Sequence, residues 1–230
     1  MEEKKFVRFK KDELSIKEFV MKTIGKGRVS NVSIEYTPVG EKIIISTNKP
    51  GLTIGKKGEK IIELTSILKK RFNLENPHID VDEIMNPSLD AKIVADDIAV
   101  TIERMGALKF KAIAYRTLER IMRAGAMGAE LRISGKLPSE RAKRWRFSKG
   151  FLKKTGEPSK VMKKATTVAK TIAGVIGIKV SILPPDAKIH DKIEVNEELK
   201  ARLIRPEDKK SDKSEKKKDN KAKKMIQEGN

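Results

Sequence analysis

The apolar positions change period several times along the chain, and each change predicts a change of element. Ile16, Phe19, Val20 and Ile24 recur at helical spacing after a charged start. Ser15, with Glu18 three residues on, has the form of a capping box, and Gly25 ends the helix. Val32, Ile34 and Tyr36 then alternate with Ser33 and Glu35, and residues 41–47 form a second strand. The Pro38-Val39-Gly40 turn between them makes the pair a hairpin. A short helical piece at 52–54 runs into Gly55-Lys56-Lys57-Gly58, and Ile61, Ile62, Leu64 and Leu68 mark a helix to about Arg71. Ile79 and Val81 against Asp80 and Asp82 give a third strand.

Asn86-Pro87-Ser88 is a break, with Ser88 placed as the N-cap of a helix at 89–105 that stops at Gly106. A second helix is predicted at 108–124. The period then drops to two: Leu131, Ile133 and Leu137 alternate with Arg132, Ser134 and Lys136. Further strands are predicted at 143–151, 161–170 and 178–182, with Pro184-Pro185 as the stop. Two helices followed by a run of strands, after a helix-strand-strand-helix-loop-helix-strand unit, define an α+β protein. The expected domains are 1–86, 87–206 and a tail at 207–230. That tail is Lys-rich and poor in apolar residues, so disorder is expected of it.

Charge adds a partner class. The 230 residues carry 52 Lys+Arg and 32 Asp+Glu, a formal +20, which calls for a polyanion. Residues 104–170 hold 19 basic and 4 acidic side chains, so +15 of the excess lies there, against +4 for residues 1–86. With no cysteine there is no disulfide, thiol nucleophile or iron–sulfur cluster, and no cofactor is expected. No apolar run approaches the ~18 residues of a membrane span, and the N-terminus has no signal-peptide apolar core. A cytoplasmic protein without a membrane partner is the expectation.

Three Gly-x-x-Gly tetrads occur, at Gly55/Gly58, Gly125/Gly128 and Gly174/Gly177, where composition alone predicts roughly one. Only the first holds two lysines and lies between helical segments, the setting of a KH loop. Glycines there let backbone approach a phosphodiester chain, with Lys56 and Lys57 over phosphates. A plain helix–turn–helix corner with solvated lysines is the alternative. On the second C-terminal helix, Lys109, Arg116, Arg120 and Arg123 fall within about 60° at 100° per residue, beside an apolar face. Lys111 lies on another side. Like charges so stacked repel, and a polyanion relieves them. Arg132 and Lys136, then Arg141, Lys143, Arg144, Arg146 and Lys149, extend the basic set onto strands, where arginine suits phosphate forks. Trp145 and Phe147 share the strand face opposite Arg144 and Arg146. They serve either base stacking or the core, and the core is favoured in a chain with only 4% aromatics.

Several segments resemble the universal small-subunit ribosomal protein S-three family. They are Ile54-Gly55-Lys56-Lys57-Gly58, Met122-Arg123-Ala124-Gly125-Ala126-Met127-Gly128, Glu130-Leu131-Arg132-Ile133-Ser134-Gly135-Lys136-Leu137 and Gly174-Val175-Ile176-Gly177-Ile178-Lys179-Val180. The likeness runs from about Phe6 to Leu183, and the Leu183-Pro184-Pro185 ending is similar to the archaeal and eukaryotic branch. The resemblance implies a type II KH domain followed by an α+β domain peculiar to the family. It implies a place in the head of the small subunit, on ribosomal RNA, beside the channel through which mRNA enters. The implied neighbours are other head proteins, the S-ten and S-fourteen proteins among them, with no homo-oligomer. Bacterial members use basic residues facing incoming mRNA at positions matching Lys111, Ala112 and Tyr115; only Lys111 is basic here, with Arg116 adjacent.

Two other classes compete. A free-standing KH regulator or assembly factor would share the same loop. A metal-dependent nuclease would need converging carboxylates, for which Asp80/Asp82 and Asp96/Asp97 are the available pairs; surface carboxylates are the simpler reading, and no enzyme is expected.

Overall fold

Alternating apolar positions build two small sheets, and amphipathic helices cover one face of each. The computed structural model describes residues 2–38, 40–72, 74 and 76–187. The expected tail at 207–230, and residues 189–205 before it, lie outside the described residues. The first lobe runs α1 (Glu2–Ile24), β1 (Val29–Thr37), β2 (Gly40–Thr47), α2 (Pro50–Ile54), α3 (Glu59–Phe72) and β3 (His78–Glu83). The second runs α4 (Ala91–Met105), α5 (Phe110–Arg123), β4 (Gly128–Lys136), β5 (Ala142–Gly150), α6 (Pro158–Val161), β6 (Lys163–Thr171) and β7 (Gly174–Leu183).

In the first lobe the sheet order is β1-β2-β3, with β1 antiparallel and β3 parallel to β2. Ile43, Ile45 and Ile79 point from the sheet onto Ile16, Val20 and Ile24 of α1 and Leu64 and Leu68 of α3. Each such buried side chain contributes about 1.5–3 kcal/mol, and this aliphatic cluster replaces the aromatics the chain lacks. In the second lobe four antiparallel strands are ordered β5-β4-β7-β6. Leu131, Ile133, Phe147, Ile178, Val180 and Ile182 face the helices, which add Ile98, Ile102, Phe110, Leu118 and Ile121. The α+β architecture read from the pattern is the observed one.

Several element starts differ from the sequence reading. The first helix begins at Glu2, so Ser15 is interior and not a cap. Residues 2–24 contain no glycine or proline, Glu2 and Glu3 suit the positive end of the dipole, and Glu13 pairs with Lys10 at 2.8 Å and Lys17 at 2.5 Å on successive turns. Local charge pairing thus extends a helix well beyond its apolar stripe. Ser88 likewise lies in a single 3-10 turn, and Asp90 caps α4 by accepting from the Lys92 N–H at 2.8 Å. Residues 107–109 form a 3-10 turn before α5, and the residues before β6 form the short α6, so that strand starts at Lys163 and not at 161.

The lobes meet along α4, eight of whose fifteen residues are buried. Asp96 is 4% exposed and sits at the junction. Its carboxylate accepts from the Gly27 N–H of the α1–β1 turn at 3.2 Å and from the Thr167 hydroxyl of β6 at 2.7 Å. Lys92 stands 3.6 Å away on the preceding turn. Nearby, Ser30 donates to Asp90, and Lys26 reaches both Glu103 at 3.2 Å and the Val168 carbonyl at 3.3 Å.

Candidate nucleic-acid interface

The Gly55–Gly58 loop follows from its glycines. Gly55 adopts φ +78°, and a Cβ there would approach Lys60 Cγ to 2.9 Å. Gly58 adopts φ +79°, also in the range that disfavours L side chains. Between them Lys57 holds φ 52° and ψ 25°, the one non-glycine residue with positive φ among the described residues. A left-handed lysine costs about 1–2 kcal/mol, so the turn is held by its surroundings. The Gly55 N–H closes α2 on the Gly51 carbonyl, and Lys60 Nζ donates to the Leu52 carbonyl at 3.2 Å. Lys56 and Lys57 are exposed and have no ion pair among the described residues. Leu52 and Ile62, exposed at 45% and 68%, flank them with apolar surface. Exposed cations and a left-handed turn backbone therefore occupy one corner, a combination suited to a phosphodiester chain. The other two Gly-x-x-Gly tetrads are structural: Gly125 ends α5, a Cβ on Gly128 would lie 2.1 Å from the Phe151 carbonyl oxygen, and Gly174 and Gly177 lie within β7.

The basic stripe of α5 is only partly free. Phe110, Ile113, Ala114, Thr117, Leu118 and Ile121 turn inward, which leaves the stripe outward. Lys109 and Arg116 have no ion pair among the described residues, whereas Arg120 bonds Asp97 of α4 at 3.1 Å and Arg123 lies 3.9 Å from Glu119. Lys111 stands off the stripe, its Nζ 4.6 Å from the Trp145 ring centroid. Trp145 and Phe147 pack on Phe110 at 5.6 and 6.2 Å, so they belong to the core, the reading favoured for them.

The basic strand residues divide between two faces. Arg132, Lys136, Arg144 and Arg146 lie on the face of the sheet away from the helices. Lys143 and Lys149 share register with Gly135 and Ala129 at the ends of the other face, and Arg141 precedes β5. The open face also carries Lys164, Lys179 and, from the loop after β5, Lys154, none of which the local pattern singles out. Lys179 and Ser181 do alternate with Ile178, Val180 and Ile182, so their outward aim is legible in the sequence. Their position beside Arg132 is not, because it depends on which strands pair.

Towards one end of this face Glu130 is 2% exposed and meets Arg132, Arg146 (3.2 Å) and Lys154. Burial pushes its carboxyl up, but Lys154 and Arg132 outweigh that and hold it below the usual glutamate range. Glu103 is held down too, chiefly by the Lys170 N–H at 2.9 Å. A depressed folded-state value adds stability above the unfolded value, near pH 4.3, and that stability is lost as pH falls through the folded value. Thermal unfolding across pH 2.5–7 is therefore expected to show an acid limb below about pH 4.5 that is shallower in Glu130→Gln and in Glu103→Gln. An acid limb unchanged in both variants would contradict this.

The acidic pairs do not converge. Asp80 is bonded to Lys42 at 2.8 Å and lies 3.1 Å from His78, and Asp96 is committed to the lobe junction. Among the described residues no cluster of three or more His, Asp or Glu could hold a metal, and no helix is long and apolar enough to cross a membrane.

A helix-backed three-stranded sheet with a lysine-bearing Gly-x-x-Gly turn, joined to a basic lobe of two helices on an antiparallel sheet, defines a type II KH protein with a C-terminal α+β domain. The family model described as "KH domain" matches residues 15–89, and that described as "Ribosomal protein S3, C-terminal domain" matches 98–182. The chain is 40% identical over 205 residues to the small ribosomal subunit protein uS3 of Methanocaldococcus jannaschii, covering 89% of this chain and 98% of that one. It is 36% identical to the protein of that name from Methanosphaera stadtmanae, covering 86% and 78%, and 36% identical to that from Haloarcula marismortui, covering 86% and 65%. The chain belongs to the uS3 family of ribosomal proteins, whose members are structural and not enzymatic.

Proposed function

We propose that the protein is a structural constituent of the head of the small ribosomal subunit, bound to ribosomal RNA and lying near the channel through which mRNA enters. What supports this most is the match over 98% of the length of an archaeal small-subunit protein in a chain that carries +15 across residues 104–170. On this reading the C-terminal lobe is the main RNA anchor. Lys109, Lys111, Arg116, Arg120, Arg123, Arg132, Lys136, Arg141, Lys143, Arg144, Arg146 and Lys149 supply phosphate contacts. Gly55, Lys56, Lys57 and Gly58 hold a short single strand, of ribosomal RNA or of mRNA. Functional domains at 1–86 and 87–206, with 207–230 as a tail, neighbouring head proteins as partners and no self-association complete the proposal. The protein then resides on cytoplasmic ribosomes.

Stoichiometric co-sedimentation with small subunits in high salt tests this, and recovery only in light fractions would favour a free regulator or assembly factor. A finer test uses the stripe. Neutralising Arg116, Arg120 and Arg123 together is expected to flatten the salt dependence of RNA binding by up to about 0.7–0.9 log units for each phosphate no longer neutralised. The reduction should fall short of three full phosphates, because Arg120 and Arg123 already share carboxylates. An unaltered slope would place the stripe away from RNA.

A further inference from the structure

The open face of the four-stranded sheet carries charges in an arrangement that packing alone disfavours. Arg146, Arg132 and Lys179 stand directly opposite one another on β5, β4 and β7, with Thr166 of β6 completing the row. The neighbouring row is Ser148, Glu130, Ser181 and Lys164. Like charges directly opposite on one sheet face destabilise the pairing, and strands only ~4.8 Å apart leave them little room to separate. Neither α4 nor α5 lies on this face; α6 reaches its edge, where Ser159 accepts from Lys164 Nζ at 2.8 Å. Instead Arg132, Lys154, Met162, Lys164, Lys179 and Ser181 line a shallow depression of about 200 Å³.

Glu130 gives the arrangement its logic. It is the one carboxylate among these cations and is almost wholly buried. It contacts Arg132, Arg146 and Lys154, whose side chains remain 42%, 60% and 35% exposed. One negative charge thus holds three cations, and Lys164 and Lys179 add two more beside them, leaving a local surplus of +4. An arginine has five N–H donors, so a single carboxylate leaves most of those on Arg132 and Arg146 unused by Glu130. A buried carboxylate that only neutralised charge would not need three partners. One that fixes three long side chains at set positions removes the rotamer entropy that binding an anion would otherwise cost.

We propose that this sheet face is a preorganised binding surface for the phosphodiester backbone of RNA. In it Arg132, Arg146, Lys154, Lys164 and Lys179 contact successive phosphates, and Glu130 is a positioning residue that does not itself touch RNA. The proposal rests on the RNA-binding reading above, which already gives Arg132 and Arg146 phosphate contacts, and adds Lys154, Lys164 and Lys179 beside them and a positioning role for Glu130. Nucleic acid fits better than an acidic protein segment because arginine forks and a serine hydroxyl suit phosphate oxygens.

The test uses the full chain with poly(U) and with assembled small subunits. Lysine acylation read by mass spectrometry is expected to be suppressed at Lys154, Lys164 and Lys179 when poly(U) is bound, and again in the subunit. Lys164→Glu with Lys179→Glu, both outside the Glu130 cluster, is expected to lower the salt slope by about 1.4, two single-strand phosphates at ~0.7 each. Glu130→Gln separates positioning from simple charge. Removing a negative charge should tighten binding if Coulomb attraction alone matters. Positioning predicts about fivefold weaker binding and faster Lys154 acylation, with partial recovery in Glu130→Asp. Equal acylation with and without RNA together with an unchanged slope would overturn the proposal, as would protection in the subunit by a protein crosslink with none by poly(U). A protein that never enters subunits yet shows poly(U) protection would overturn the ribosomal reading and leave this surface standing.

Discussion

Asp96→Ala is expected to lower the unfolding free energy by about 3–4 kcal/mol, more than any other single polar substitution at the lobe junction. The carboxylate is 4% exposed and serves both lobes through the Gly27 N–H and the Thr167 hydroxyl. Alanine leaves the buried Thr167 hydroxyl and the half-buried Gly27 N–H without this partner, at about 1–3 kcal/mol each. It also strips the nearby Lys92 of its counter-charge. Urea unfolding followed by circular dichroism measures the loss. Asp96→Asn keeps an acceptor in place, so it should retain about half the difference. The lobes should also loosen before they unfold, with amide exchange at Gly27 and along the Thr167 strand rising more than in the sheet interior. A loss below about 1 kcal/mol, with exchange unchanged, would show that the apolar surface of α4 alone joins the lobes.

Lys56→Asp combined with Lys57→Asp is expected to weaken binding of a short single-stranded RNA by about 100-fold at moderate salt. A charge-assisted hydrogen bond is worth about 1.5–3 kcal/mol, and each 1.4 kcal/mol is tenfold. The fold should survive, because both side chains are exposed and have no ion pair among the described residues, and aspartate tolerates the left-handed backbone at position 57. Fluorescence anisotropy with a labelled oligonucleotide gives the affinity, and a thermal melt confirms the fold. Unchanged affinity in a folded double variant would reduce the loop to a helix corner. Binding of long RNA should fall much less, because most of the excess charge lies in the second lobe.

Two further features show what local pattern reports. The apolar stripe ending at Ile24 locates α1 over its buried half, since Ile16, Val20 and Ile24 are the buried residues of that helix. It cannot locate the start at Glu2, where no residue is buried and the helix stands on charge pairs, the dipole and exposed ring contacts such as Phe9 on Tyr36 at 4.8 Å. The pattern places the α4 cap two residues early because Ser88 and Asp90 are both good caps. Asp90 also receives Ser30 from the other lobe, an interaction invisible to a local window.

Legible in the sequence by itself were the element types, the lysine-bearing Gly-x-x-Gly turn, the concentration of charge in residues 104–170 and the inward aim of Trp145 and Phe147. Each is local: periodicity reports which side chains avoid water, and glycine reports where backbone turns left-handed. Tertiary structure alone decided that the outward basic residues of separate strands gather on one open sheet face. It brought Lys179 beside Arg132 through the order β5-β4-β7-β6, buried Glu130 among three cations, and placed Asp96 between the lobes. The Asp96 contacts join residues 69 and 71 positions apart, and no local spacing rule encodes which distant cation will stand opposite which.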